Sequence, residues 1–343
     1  MSGPTSQLRP NRRPTRTHVN GGTDAAAHSP PLDTPTPHAV TPTRHLRRAD
    51  VYSRPVVDGQ AVSDNALTRL RALVARLFES PAEREEAKLD TELTSLPGGS
   101  RSNTISVISP KGGVGKTTST FLVGNALASH LRLRVVAVDT NPDFGTLGEL
   151  APETRRVDKT LTELVAELDR VHSASELKTY VSQLPSGLHL LAAPAHAEVM
   201  AQMSPDHYGE LLAFLSRYYD VVLLDCGTGV THPLAQFAVR RSDQTIVVTT
   251  PEWITASSVL GALRHLELDR STLVLNQAQP ESTDRRAIEA HFRRERLRKR
   301  VTIPWDEQLR TMLDSATYSL PALRRPVRLP IKQLALAVGE QLV

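Results

Sequence analysis

From residue 101 onward, seven short apolar runs punctuate the chain: TISVIS (104–109), RVVAVD (134–139), LHLLAA (188–193), VVLLDC (221–226), TIVVTT (245–250), TLVLN (272–276) and VTIP (301–304). They are nearly continuous in apolar residues and lack the strict alternation of a sheet with one face in water. Strands covered on both faces read this way, as in a parallel sheet flanked by helices. Helical patterns lie between the runs. The spacing therefore predicts a doubly wound α/β domain over residues 101–343. Its sheet is mostly parallel, of about seven or eight strands, with helices on both faces.

Upstream the texture differs. Residues 1–56 are rich in Pro, Thr, Arg and His, as in TPTPHAVTPTRHLRR, and poor in large apolar residues. Such a segment cannot bury enough apolar area to offset its chain entropy, so a disordered tail is expected. Arg9, Arg12, Arg13, Arg16, Arg44, Arg47, Arg48 and Arg54 are opposed there only by Asp24, Asp33 and Asp50. The tail reads as a solvated spacer, or as an arm that meets an acidic partner. A helical and polar linker is expected over 57–100. Asp64 can cap a helix carrying Leu67, Leu70, Leu73, Val74 and Leu77, docked on the core or on another protein. The charged stretch SPAEREEAKLDTEL follows, and Pro97-Gly98-Gly99-Ser100 breaks the chain before the core.

Composition changes this picture little. With 39% hydrophobic and 23% charged residues, most of the chain should be globular. The single cysteine, Cys226, cannot form an internal disulfide, which fits a reducing, cytoplasmic setting. No apolar segment opens the chain as a secretory leader would, and no uncharged apolar run is long enough to span a membrane. The formal net charge of +4 permits an acidic partner without requiring one.

The chemistry concentrates after the first strand. Ser109 runs into Pro110-Lys111-Gly112-Gly113-Val114-Gly115-Lys116-Thr117-Thr118, and then into the helical stretch from Phe121 to Ala128. Strand, glycine loop and helix in this order form a phosphate-binding loop. The glycines let successive N–H groups turn inward onto phosphate oxygens, and the helix N-terminus adds its own free N–H groups. Lys116 is placed to reach the β- and γ-phosphates, and the Thr117 hydroxyl to ligate Mg²⁺.

This loop has a second lysine, Lys111, and lacks the usual glycine at Pro110. In this it closely resembles the deviant Walker A ATPases of the ParA/MinD group. The resemblance covers about residues 104–342 and implies bound ATP and Mg²⁺. It also implies a homodimer with ATP sandwiched at the interface, Lys111 crossing to the partner's nucleotide. On the residues alone, Lys111 reads equally as a surface lysine of its own subunit. Asp139-Thr-Asn141-Pro matches the group's switch, with Asp139 at the first aspartate and Asn141 where a second positions the attacking water. An amide can hold a water but cannot accept its proton. Slow, partner-stimulated hydrolysis is expected, or a non-hydrolysing ATP-gated scaffold; Asp143 stands close enough to compensate. Asp225-Cys-Gly-Thr-Gly229 resembles Walker B: Asp225 would reach Mg²⁺, and the Gly229 N–H would sense the γ-phosphate. Cys226 reads as a small buried apolar residue. Asn276 resembles the residue that reads adenine, with a turn asparagine as the alternative, and Ile303-Pro304-Trp305-Asp306 the segment that closes over the base.

The cargo stays open among several classes. Arg285, Arg286, Arg293, Arg294, Arg296, Arg298, Lys299 and Arg300 read as a dense cationic helix that tracks DNA phosphates without sequence preference, or as a solvated face balanced by Glu289 and Glu295. DNA partitioning, with a nucleoid-associated protein, is the favoured class. VAVDTNPDFGTLGEL, LLDCGTGVTHPL and the proline-rich tail look more like the MinD-like accessory ATPases of high-GC bacteria, some of which accompany type VII secretion. In that class an unidentified protein partner stimulates the cycle, and the tail is one place for it to bind. A C-terminal helix from Pro330, with Ile331, Leu334, Ala335, Val338 and Leu342 on one face and Arg324, Arg325, Arg328 and Lys332 near it, could meet a membrane. It lacks Phe and Trp, so packing on the sheet is favoured.

Overall fold

The computed structural model describes residues 80–342, apart from 143–144, 229–232 and 280–282. The tail over 1–56 and the helix expected from Asp64 lie outside the described residues. Eight strands form one sheet: β1 (Asn103–Ser109), β2 (Val135–Thr140), β3 (Ser182–Gln183), β4 (His189–Leu191), β5 (Val221–Thr228), β6 (Gln244–Thr249), β7 (Ser271–Ala278) and β8 (Lys299–Pro304). Their order is β3-β4-β2-β5-β1-β6-β7-β8. Every pairing is parallel except that of β3 with β4. The seven apolar runs are all strands. The run at 188–193 is cut to the three residues of β4, and its antiparallel neighbour β3 has no apolar pattern to announce it.

The helices are α1 (Pro81–Ser95), α2 (Lys116–His130), α3 (Leu161–Ala166), α4 (Ala174–Leu177), α5 (Ala197–Met200), α6 (Pro205–Leu215), α7 (Pro233–Arg241), α8 (Trp253–Ala262), α9 (Thr283–Phe292), α10 (Glu307–Asp314) and α11 (Arg325–Gly339). Alternation along the strands feeds two cores. Val135 and Ala137 of β2 point to the layer containing α1, α2, α10 and α11. Val136 and Val138 point to the layer containing α3 to α9. Both faces are dry, which is why the runs read as continuous. Each fully buried Val or Leu contributes about 1.5–3 kcal/mol against leaving it in water.

Within the stretch expected to be helical and polar, SPAEREEAKLDTEL forms α1, capped by Ser80 and Glu83 with Pro81 in the first turn. Leu89 and Leu93, one turn apart, enter the core, and that short apolar stripe is easily lost among seven charged neighbours. One reading of the sequence is corrected here. The last helix does not start at Pro330. It starts at Arg325, with Pro326 in its first turn and Pro330 inside it. Ile331, Leu334, Ala335 and Val338 are fully in the core. Arg325, Arg328 and Lys332 pair with Glu85, Glu86 and Asp90 of α1, so these cations face protein. No helix among the described residues is long and apolar enough to cross a membrane.

Candidate nucleotide site

All the chemistry gathers at the carboxyl ends of the parallel strands. Between β1 and α2 the chain turns tightly, with Gly113 at φ 74° and Gly115 at φ 91°. Side chains are strained at those angles, and a Cβ on Gly115 would lie 2.1 Å from Nδ2 of Asn276. The Asn276 amide donates to the Val114 carbonyl at 2.9 Å, and Gln277 Nε2 donates to the Gly113 carbonyl at 3.4 Å. The end of β7 thus braces the loop by its carbonyls, and an anion would be met by its N–H groups. Gly112 and Lys111 are exposed on the outer side of the turn, and the Lys111 N–H donates to Ser109 Oγ at 3.3 Å.

Lys116 opens α2 and is largely buried. Burial lowers the pKa of its ammonium, and the charge of Asp225 draws it partly back. Asp225, on β5, sits in register with Asp139 on β2, both buried. Burial raises the pKa of both carboxyls, and the Asp139 charge raises Asp225 further. The Thr120 hydroxyl donates to Asp225 at 3.4 Å, and the Thr117 side chain beside it lowers the Asp225 pKa in part. Asp139 accepts from the backbone N–H of Asn141 at 3.2 Å and of Leu147 at 3.0 Å, which shapes the loop after β2. That loop touches the end of β5: a Cβ on Gly227 would lie 2.5 Å from Pro142 Cδ and 3.1 Å from Asn141 Oδ1. Asp143 and Gly229 lie outside the described residues.

These groups fit a magnesium nucleotide. Among the described residues no set of three or more His, Cys, Asp or Glu could cage a metal. Mg²⁺ held mostly by phosphate oxygens and water needs only a hydroxyl and one carboxylate, the pair Thr117 and Asp225 supply. Two adjacent buried carboxyls strain each other, and a divalent cation relieves that strain. Beside the loop lies a cleft of about 640 Å³, lined by Thr117, Thr118, Asn276, Pro304, Trp305 and Asp306 among others. Trp305 is 47% exposed, so its ring is open to a partner in the cleft.

Sequence reasoning missed three residues here: Thr120, Gln277 and Gly227. Thr120 could have been found, since it lies one helical turn after Lys116. The others act through contacts between loops distant in sequence.

The cationic cluster does not form one helix, contrary to its reading from sequence. Arg285 and Arg286 lie on α9, Arg293 to Arg298 follow its end, and Lys299 and Arg300 begin β8. Phe292 closes the helix, and Leu297 and Val301 return the chain to the core. Arg285 and Arg293 pair with Glu289, and Lys299 with Glu340. Arg294, Arg296, Arg298 and Arg300 are exposed. Because β8 runs parallel to β7, its start lies at the opposite end of the sheet from the glycine loop.

A family model described as an AAA domain matches residues 102–271. The ESX-1 secretion-associated protein EspI of Mycobacterium tuberculosis is 28% identical over 255 residues, covering 71% of this chain and 37% of EspI. The septum site-determining protein MinD of Bacillus subtilis is 31% identical over 177 residues, covering 50% of this chain and 64% of MinD. The chain therefore spans less than two thirds of either relative. A ParA family ATPase from Chlorobium tepidum superposes with a TM-score of 0.56 at 25% identity, over 68% of this chain and 98% of that one. MinD of Pyrococcus horikoshii, complexed with Mg-ADP, gives 0.54 at 22%, over 69% and 94%.

Proposed function

The chain belongs to the ParA/MinD family of P-loop ATPases, and we propose that it is a nucleotide-switched ATPase that acts through a protein partner. The observation that carries the reading is the meeting of Lys116, Thr117, Asp139 and Asp225 at one end of the sheet. In this reading Lys116 holds the β- and γ-phosphates, and Thr117 and Asp225 hold Mg²⁺. Asp139 fixes the switch loop so that Asn141 orients the attacking water, and the N–H of Gly229 meets the γ-phosphate. Without a carboxylate at Asn141, hydrolysis is slow until a partner completes the site. Asn276 and Pro304 bound the adenine. Lys111, exposed beside the loop, reaches the nucleotide of a second copy in an ATP-sandwiched homodimer.

A protein-handling role, as in secretion, is favoured because the similarity to EspI runs over 71% of this chain, against 50% for MinD. Non-specific DNA binding is the second reading, favoured by the exposed Arg294, Arg296, Arg298 and Arg300.

The test is Lys111→Ala in the full chain, with mass in solution measured with ATP and with ADP. The expected result is an ATP-dependent dimer for the parent and a monomer for the variant, with ATP affinity changed less than about threefold. Normal dimerisation and hydrolysis by the variant would sink the sandwich. Titration with random-sequence duplex DNA separates the cargo readings. Binding that needs ATP and fades steeply with salt supports DNA; no binding in any nucleotide state leaves the protein partner.

A further inference from the structure

α1 lies along α11 with both first turns at the nucleotide end of the sheet. The Arg325 guanidinium donates to the Ala82 carbonyl and, at 3.0 Å, to Glu85. One turn further in, the Glu86 carboxylate accepts from Arg328 at 2.6 and 3.0 Å and from Lys332 at 2.8 Å. Arg328 is the pivot. Its Nη1 donates to the carbonyls of Pro321 at 3.2 Å and Leu323 at 2.7 Å. One rigid planar cation therefore joins α1 to the turn before α11.

That turn is tied to the cleft in two places. Gln308 of α10 donates to the Ala322 carbonyl at 3.0 Å, and Arg324 bonds the Asp306 carboxylate. Asp306 caps α10, accepting from the Leu309 N–H at 2.8 Å. Asp306, Leu309, Arg310 and Leu313 are the wall that faces Asn276 across the cleft. The path from Glu86 to this wall thus runs through hydrogen bonds to the turn, the turn's own backbone over 321–324, and hydrogen bonds from the turn to Gln308 and Asp306. Two of its links, Glu86–Arg328 and Arg324–Asp306, join opposite charges, and such bonds are stronger than neutral ones.

We propose that Glu86 is a positioning residue for the base side of the nucleotide cleft: by holding Arg328 it fixes the turn before α11, and the turn sets how tightly adenine is held. This rests on the reading that ATP occupies the cleft.

Trp305 stands in the wall and is one of two tryptophans in the chain, so with Trp253→Phe its emission reports the wall alone. In that background Glu86→Gln should make Trp305 more accessible to iodide without nucleotide. It should weaken ATP binding about tenfold, the usual scale of coupling between sites. It should also lower the preference for ATP over GTP, with tripolyphosphate binding unchanged. Arg324→Ala cuts the same path at its exposed far end and should reproduce these changes; it carries the test if Glu86→Gln does not fold. Lys332→Met is the control. Its ammonium bonds Glu86 and Asp90 and not the turn, so it should lower the melting temperature and keep the base preference. Parent-like Trp305 quenching and base preference in both Glu86→Gln and Arg324→Ala would overturn the proposal while leaving the nucleotide site intact. A parent chain that binds no ATP would remove the site reading and the proposal together.

Discussion

Carboxylates are buried in two regions of this molecule, with opposite results. In the seam between α1 and α11, Glu86 meets Arg328 and Lys332, and hydrogen bonding to Arg328 pulls its pKa down to about 2. At the nucleotide end, Asp139 and Asp225 lie side by side on neighbouring strands, and burial pushes both pKa values up. The same kind of group is satisfied in one place and frustrated in the other. Satisfied burial fixes a helix in place. Frustrated burial next to a glycine loop and a buried lysine leaves free energy that a cation and an anion can release on binding. The contrast separates scaffold from site by electrostatics alone.

The sharpest break of the contrast is Lys116→Ala. It removes the buried cation of the cradle and should weaken ATP by more than about a hundredfold, roughly 3 kcal/mol or more. Isothermal titration with Mg·ATP measures this. An affinity within threefold of the parent would mean that the phosphates sit elsewhere. Next is the acid limb of stability. Because the Glu86 pKa is lowered from 4.5 to about 2, its contribution is present above pH 4.5 and is lost as pH falls toward 2. Glu86→Gln should cost roughly 2–3 kcal/mol at neutral pH and flatten the unfolding free energy across that acid window. An unchanged acid limb in denaturant titrations would mean that the seam contributes little.

Much of the fold was legible because the sheet is dry on both sides, so its strands announce themselves without any tertiary information. The phosphate loop was legible for a related reason. Curling N–H groups around phosphate requires contiguous residues, and Gly112 to Thr118 are contiguous. The seam was not legible, because Glu86 meets its partners some 240 residues away and looks like any exposed acid in a charged run. The cationic cluster misled for the opposite reason. Its charges are continuous, but the apolar spacing beneath them changes from Ile288–Phe292, one helical turn, to Phe292–Leu297–Val301, which no single helix accommodates. Asn276 kept both of its readings: it lines the cleft, and it braces Val114 as a structural amide would.

The smallest effect tests the frustrated pair itself. The folded pKa values of Asp139 and Asp225, about 6 and about 7, lie above the unfolded value of 3.8. A group raised in this way stabilises the fold fully below its unfolded pKa, and the contribution is lost as pH rises through the folded one. The nucleotide-free protein should therefore lose stability from this pair between about pH 4 and pH 7, the reverse of the Glu86 limb. Asp225→Asn removes one charge and lets Asp139 ionise more easily. It should raise the neutral-pH stability of the nucleotide-free protein by on the order of 1 kcal/mol and shrink the downward slope. The same substitution should abolish the extra stabilisation that Mg²⁺ adds to bound ATP. Melting curves from pH 4 to 8, with and without Mg·ATP, read both effects. If Asp225→Asn melts below the parent at pH 7 without nucleotide, the carboxyl is satisfied as it stands, and the electrostatic line drawn between scaffold and site disappears.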